Sequence, residues 1–233
     1  MEEQPIPVLY GPPVVEYNKL LVGQKHFVEA DNIIFDFGGV IMRHNMQGCI
    51  NAFRKLTDEQ TIQNVLGLGD NGEGVHDSLM QQYEQGLITT YNFLSRILSC
   101  CVAGTTENDV IEAWNSMHAG VPDGLWNVIA NLREKGYRTF LLSNNNELHW
   151  RHTLSQYREQ IDRCFFKVFL SHELHVIKPE PKFFDYVDCE IGAIAERTFF
   201  VDDIEENRRA ANAYVGWNTC ANIDELLAIL AKR

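Results

Sequence analysis

The sequence predicts an α/β fold, a parallel sheet with helices on both faces and an all-helical segment inserted after the first strand. Short apolar runs alternate with stretches of helical periodicity, the pattern left by strand–helix crossovers. Polar residues terminate these runs at the same end, at Asp36, at Ser143 and at Asp202-Asp203. Between the first and second runs, from about 46 to 118, only helical spacing recurs.

Residues 1–31 show no strong periodicity and are expected to be an N-terminal extension. Asn32-Ile33-Ile34-Phe35-Asp36 is an apolar run ending on an acid, with Gly38-Gly39 just beyond, as a buried parallel strand entering a tight loop would read. In the segment 46–118, Leu79, Tyr83 and Leu87, then Tyr91, Leu94 and Leu98, recur at helical spacing with polar residues between. After Pro122 a helix carries Leu125, Val128, Ile129 and Leu132 and stops at Lys135-Gly136, a cation and a glycine suited to a helix carboxyl terminus. Tyr137 to Ser143 reads as the second strand, 147–160 as a helix and Phe165 to Leu170 as a further apolar run. A helix is expected from Pro181, a strand from Thr198 into Asp202-Asp203, and helices near 205–214 and 223–232. The expected division is an extension at 1–31, an α/β core at 32–45 and 119–233, and a helical insertion at 46–118. In parallel sheets ligands bind beyond the carboxyl ends of the strands. That edge is where the polar clusters gather.

Composition narrows the function. A chain of 233 residues with 45% apolar and aromatic side chains can bury a full core. With 32 acidic against 20 basic residues, its formal charge of -12 opposes nucleic acid and anionic membranes, and neither is an expected partner. An anionic ligand would need local positive charge. Six cysteines without a CxxC pair read as reduced thiols. No basic and apolar leader opens the sequence and no uncharged run reaches membrane-span length, so a cytoplasmic location is expected.

The clusters support one chemistry. Asp36, Asp202 and Asp203 at one sheet edge would repel one another unless a hard cation neutralised them, and magnesium prefers such oxygen ligands. Lys178, in Ile177-Lys178-Pro179-Glu180-Pro181, offers an ammonium from a stiffened loop, and Ser143 and Asn144 offer neutral donors. Metal, ammonium and donors together form a receptor for a phosphoryl group, whose transfer depends on positioning and charge neutralisation. Singly, a strand-terminal Asp is commonly a cap or turn residue, and an Asp-Asp pair before a helix an N-cap. It is their joint order that points to a site.

In that order the chain resembles the haloacid dehalogenase-like (HAD) hydrolase superfamily. The resemblance rests on Phe35-Asp36-Phe37-Gly38-Gly39-Val40, Leu142-Ser143-Asn144, Lys178-Pro179 and Phe200-Val201-Asp202-Asp203, and spans about residues 32–222. It extends to Tyr83-Glu84-Gln85-Gly86-Leu87-Ile88-Thr89 and Trp114-Asn115, which are similar to the helical cap of anomeric sugar phosphatases and epoxide-hydrolase amino-terminal phosphatase domains. The resemblance implies a Rossmann-like HAD core with an inserted all-helical cap domain. It implies a magnesium-dependent phosphatase for a small phosphorylated metabolite such as a sugar phosphate, acting through an aspartyl-phosphate on Asp36. Magnesium would be held by Asp36, the Gly38 carbonyl and Asp203, with Asp202 as outer support and Asn207 near the metal's water. Ser143, the Asn144 side chain or backbone, and Lys178 would hold the phosphoryl oxygens, and Lys178 would also counter the charge on Asp36.

The chain departs from that pattern at one position. Most phosphatases of the superfamily carry an Asp two residues after the nucleophile as general acid and base; here it is Gly38. The substrate then has a good leaving group, another acid is borrowed, or the protein only binds phosphate in a regulatory role. A 2-haloacid dehalogenase is a further alternative, although that chemistry leaves Asp202-Asp203 unexplained. His44, eight residues beyond Asp36, stands within reach as a replacement, while a loop histidine is more commonly structural, as are His118, His149 and Trp150. Gly38→Asp is expected to speed hydrolysis of alkyl phosphates more than of anomeric or aryl phosphates.

Overall fold

The computed structural model describes residues 31–68 and 78–232. The N-terminal extension therefore lies outside the described residues except for Asp31, whose carbonyl accepts from the Arg138 amide and whose carboxylate meets Arg197 Nε at 2.8 Å.

Five strands form one parallel sheet in the order β3-β2-β1-β4-β5: β1 Asn32–Phe35, β2 Arg138–Ser143, β3 Lys167–Leu170, β4 Thr198–Val201 and β5 Asn218–Cys220. The first strand is central because it is buried on both faces; Ile33 and Phe35 pack into one apolar cluster and Ile34 into the other. Its register pairs Phe35 with Leu141 on β2 and with Val201 on β4, which brings Asp36, Ser143 and Asp202 to one edge. Strand β5 escaped the sequence reading. It has only three residues and begins with exposed Asn218 and half-exposed Thr219, too short and too polar for a period to register.

Between β1 and β2 the described residues form five short helices, α1 Met46–Phe53, α2 Glu59–Leu66, α3 Leu79–Glu84, α4 Thr90–Leu98 and α5 Glu107–Asn115, followed by α6 Leu125–Glu134. Helices this short are marginal alone. Each of the five is stabilised by an N-cap side chain, Asn45, Asp58, Ser78, Thr89 and Thr106 in turn, and by a shared apolar cluster. That cluster includes Phe53, Tyr83, Phe93, Ile97 and Trp114 and takes Leu148 from the core side. The chain enters and leaves the helical segment through a short antiparallel contact, in which Arg43 N donates to Gly120 O, Ala119 N to Arg43 O and Asn45 N to Met117 O.

The remaining helices are α7 Glu147–Cys164, α8 Ser171–Leu174, α9 Pro181–Ile191, α10 Glu205–Val215 and α11 Ile223–Leu230. Helix α7 outruns its expected end and bends at Tyr157, where φ is -129°. No helix among the described residues is long and apolar enough to cross a membrane.

Candidate active site

The groups singled out in the sequence meet at the carboxyl edge of the sheet. Asp36 is the first residue past β1, and its amide donates to Val201 O at 2.8 Å, so the end of β4 fixes its backbone. Lys178 Nζ lies 2.7 Å from Asp36 Oδ1 and 2.7 Å from Asp202 Oδ2, and all three side chains are buried. Asp202 is saturated. Its Oδ1 accepts from the Ile204 amide and Asn207 Nδ2, and its Oδ2 from Lys178 and again from Asn207 Nδ2. Asp202 thus orients Lys178, and Asn207 holds Asp202.

Asn144 is committed in a way the sequence did not reveal. Its Oδ1 accepts from the Lys178 amide at 2.8 Å and its Nδ2 donates to the Lys178 carbonyl at 3.0 Å, copying the pairing a neighbouring strand would give. Of the two options for this residue, the side chain is occupied in positioning Lys178, and the backbone amide is the one left to meet a ligand. Ser143 Oγ leans on the Asn144 carbonyl at 3.2 Å.

Electrostatics follow from burial. Removal from water raises the Asp36 pKa to about 7; Lys178 opposes that rise and the Asp202 charge adds to it. Burial pulls Lys178 down, but Asp36 and Asp202 together hold it above its ordinary value. The floor of the site is therefore short of positive charge. Carboxylate oxygens of Asp36, Asp202 and Asp203 lie within 4.8 Å of one another, and Asp203 is exposed at the rim. Gly39 lets Asp203 lie against the loop: φ is +75° there, and a Cβ would stand 2.3 Å from Asp203 Oδ2. Such a donor set suits one hard divalent cation.

Gly38 is a glycine for a different reason. A Cβ on it would stand 2.5 Å from Cε1 and 2.6 Å from Nε2 of His44, so the imidazole fills the space of a residue-38 side chain. A side chain introduced by Gly38→Asp therefore competes with this ring for the same space, and one of the two has to turn aside. The protein around the ring lowers the His44 pKa, with Asp203 pulling the other way.

The other histidines form a wall beside that ring. His44 and His118 are paired through their backbones and their rings lie parallel at 6.5 Å; His118 meets His149 at 4.3 Å, and His149 stacks on Trp114 at 4.7 Å. His149 Nε2–H donates to the Trp114 carbonyl at 3.0 Å, a tautomer fixed by Asn146 Nδ2 donating to Nδ1 at 3.1 Å. Burial pushes the His149 pKa down to about 4 and the His118 pKa to about 2. Trp150 packs edge-on against Phe37 at 6.0 Å in the core. His149 and Trp150 are both buried, the first in these hydrogen bonds and the second in the core.

One residue was overlooked. Glu84, at the end of α3, is half-buried, and burial raises its pKa to about 7 while Lys178 lowers and Asp36 raises it, so it shares the field of the site. Its backbone is pinned there: the Ser171 hydroxyl donates to Glu84 O and accepts from Asn145 N at 2.9 Å. The available signal was a single acid between Tyr83 and Gly86 in an otherwise neutral segment.

Comparison with known proteins agrees with this geometry. Residues 30–214 match the haloacid dehalogenase-like hydrolase family. A D-ribitol-5-phosphate phosphatase of Bacteroides thetaiotaomicron is 30% identical over 185 residues, covering 76% of this chain and 84% of the relative. The structure of a wild-type HAD-family enzyme from the same organism, solved with magnesium and inorganic phosphate, superimposes with a TM-score of 0.70 at 30% identity, over 82% of this chain and 93% of that one. A HAD-like hydrolase of Porphyromonas gingivalis shares the fold, with a TM-score of 0.73 at 24% identity over 88% and 99% of the two chains. The matched span, the sheet order and the Asp36–Lys178–Asp202 floor agree, and the chain belongs to the haloacid dehalogenase-like hydrolases.

Proposed function

We propose that this protein is a magnesium-dependent phosphatase that hydrolyses a small phosphorylated sugar or sugar alcohol through an aspartyl-phosphate on Asp36. The observation that carries this reading is the Lys178 ammonium at 2.7 Å from both Asp36 and Asp202. It holds one carboxylate oxygen of Asp36, so the other is left to attack phosphorus. The attack joins Asp36 to the phosphoryl group as the ester P–O bond breaks. Water then cleaves the acyl phosphate and returns Asp36 to its carboxylate form. Lys178, the Ser143 hydroxyl and the Asn144 backbone amide bind the equatorial oxygens.

Asp36, the Gly38 carbonyl and Asp203 would hold the cation, with Asp202 as its outer support; that carbonyl accepts no backbone hydrogen bond among the described residues. Magnesium bound there supplies neutralisation of phosphoryl charge. Residues 46–118 act as a cap on the core formed by 32–45 and 119–233, and Glu84 is the cap acid that meets substrate hydroxyls. The similarity to a D-ribitol-5-phosphate phosphatase supports this substrate class.

The test is turnover by purified, magnesium-loaded protein on a panel of phosphate esters that includes pentitol, pentose and hexose phosphates. Polyol or sugar phosphates are expected to lead the panel, and Asp36→Asn to lose at least ~10⁴-fold in kcat. Beryllium fluoride is expected to trap on wild type and not on the variant. Equal activity of the two proteins would end the nucleophile assignment.

A further inference from the structure

Gly38 has no side chain, yet the space in front of it is filled. The Cε1–Nε2 edge of His44 lies where a Cβ at 38 would go, closer than any side chain there could approach, while Nδ1 is 3.7 Å away. The ring is in the site's own field, since Asp203 acts on it electrostatically. Its backbone is fixed on both sides, by Arg43 N donating to Gly120 O at 3.0 Å and Asn45 N to Met117 O at 2.7 Å. The residue is exposed, and among the described residues no hydrogen bond is made by either ring nitrogen. Further along the wall both nitrogens of His149 are used in holding the fold, while His118, the ring next to His44, leaves its buried Nδ1 unpartnered. An imidazole carried on a fixed backbone beside the nucleophile loop, with both nitrogens unspent, is free to meet a ligand.

We propose that His44 contacts the substrate directly, presenting an imidazole N–H to the leaving-group oxygen from the place that a residue-38 side chain would occupy. This rests on the phosphatase reading above. As Asp36 attacks, the P–O ester bond breaks, its electron pair stays on the leaving oxygen, and that oxygen takes its proton from solvent water. The N–H stabilises the oxygen while charge builds, and the ring is unchanged at the end. A donor aimed at developing charge is worth most when the leaving group is poor. His44 therefore matters for alkyl phosphates, including those of sugar alcohols, and little for aryl phosphates.

The experiment compares kcat/KM of the magnesium-loaded wild type, His44→Ala and His44→Gln on ribitol 5-phosphate and on p-nitrophenyl phosphate, with inhibition by inorganic phosphate as a separate readout. His44→Ala is expected to lose roughly a hundredfold on the alkyl ester, less than about threefold on the aryl ester, and nothing in phosphate inhibition. His44→Gln keeps an N–H donor and is expected to recover part of the alkyl activity. Equal losses on the two esters, or no loss on either, overturn the proposal while leaving the phosphatase reading intact; a wild type inactive on every ester overturns both. A second pair isolates the steric claim. Gly38→Asp is expected to be impaired alone and to recover when combined with His44→Gly. Full activity of Gly38→Asp with His44 in place would show that the ring does not hold that space.

Discussion

The two sides of the site are built on opposite principles. The floor, Asp36, Lys178 and Asp202, is charged, buried and tied together by 2.7 Å ion pairs. The wall is neutral: Trp114 and His149 are buried and hydrogen-bonded, and half-buried His118 is held by ring contacts. Buried ion pairs contribute little net stability and fail badly when one partner is removed, whereas a stacked neutral ring is tolerant until it is asked to ionise. The floor is suited to chemistry and the wall to keeping the floor's neighbours in register.

The largest expected effect comes from breaking the floor. Lys178→Met leaves Asp36 and Asp202 buried without their cation, and the metal-free protein is expected to lose about 3–5 kcal/mol in urea unfolding at neutral pH, together with its activity. Acidification should return part of the loss as the carboxylates protonate. A variant as stable as wild type would mean that the ion pairs are solvated.

The wall is tested by pH. In the unfolded chain His149 takes up its proton near the ordinary histidine value, about 6.5, but in the fold only near about 4. The unfolded state binds more protons in that window, so stability is present above pH 6.5 and falls as pH drops towards 4, by about 3 kcal/mol from this ring. His149→Phe removes the titration but also strands the Trp114 carbonyl and Asn146 amide. It is expected to cost about 1–3 kcal/mol at pH 7 and to flatten the acid limb of the stability profile. An unchanged acid limb would show that His149 is not held neutral.

The smallest effect lies at the edge of the floor. Glu84 has its folded pKa raised to about 7, so the fold favours its protonated form and stability is lost as pH rises from the usual glutamate range through 7. Glu84→Gln is expected to stabilise the metal-free protein by about 1 kcal/mol above pH 7, discounted for the water that reaches a half-buried carboxylate, and by nothing near pH 4.5. Calorimetry at the two pH values checks the sign.

Much of this was legible in the sequence. The strand ends at Asp36, Ser143 and Asp202 and the loop at Lys178 stand out because apolar runs and their polar termini are local patterns, and parallel topology alone gathers them. The pairing of Asn144 with the backbone of Lys178 was not legible, since 34 positions separate the two and an amide side chain carries no mark of its partner. Glu84 was hidden for a related reason. It stands on a helix whose apolar spacing describes its packed face, while its own environment is set by Asp36 and Lys178 across the fold. The collision of His44 with residue 38 depends on a loop that doubles back between Phe37 and Met42, a turn that sequence period does not reveal.

Adjacent glycines in that loop stand under unequal constraint. Gly39 is locked twice, by a positive φ and by the Asp203 carboxylate against it, so no other residue fits without dismantling the rim. Gly38 is restrained by one imidazole ring, which can itself be exchanged. An acid at 38 has to share its space with a ring that can turn or be exchanged, whereas a side chain at 39 would have to change the backbone itself.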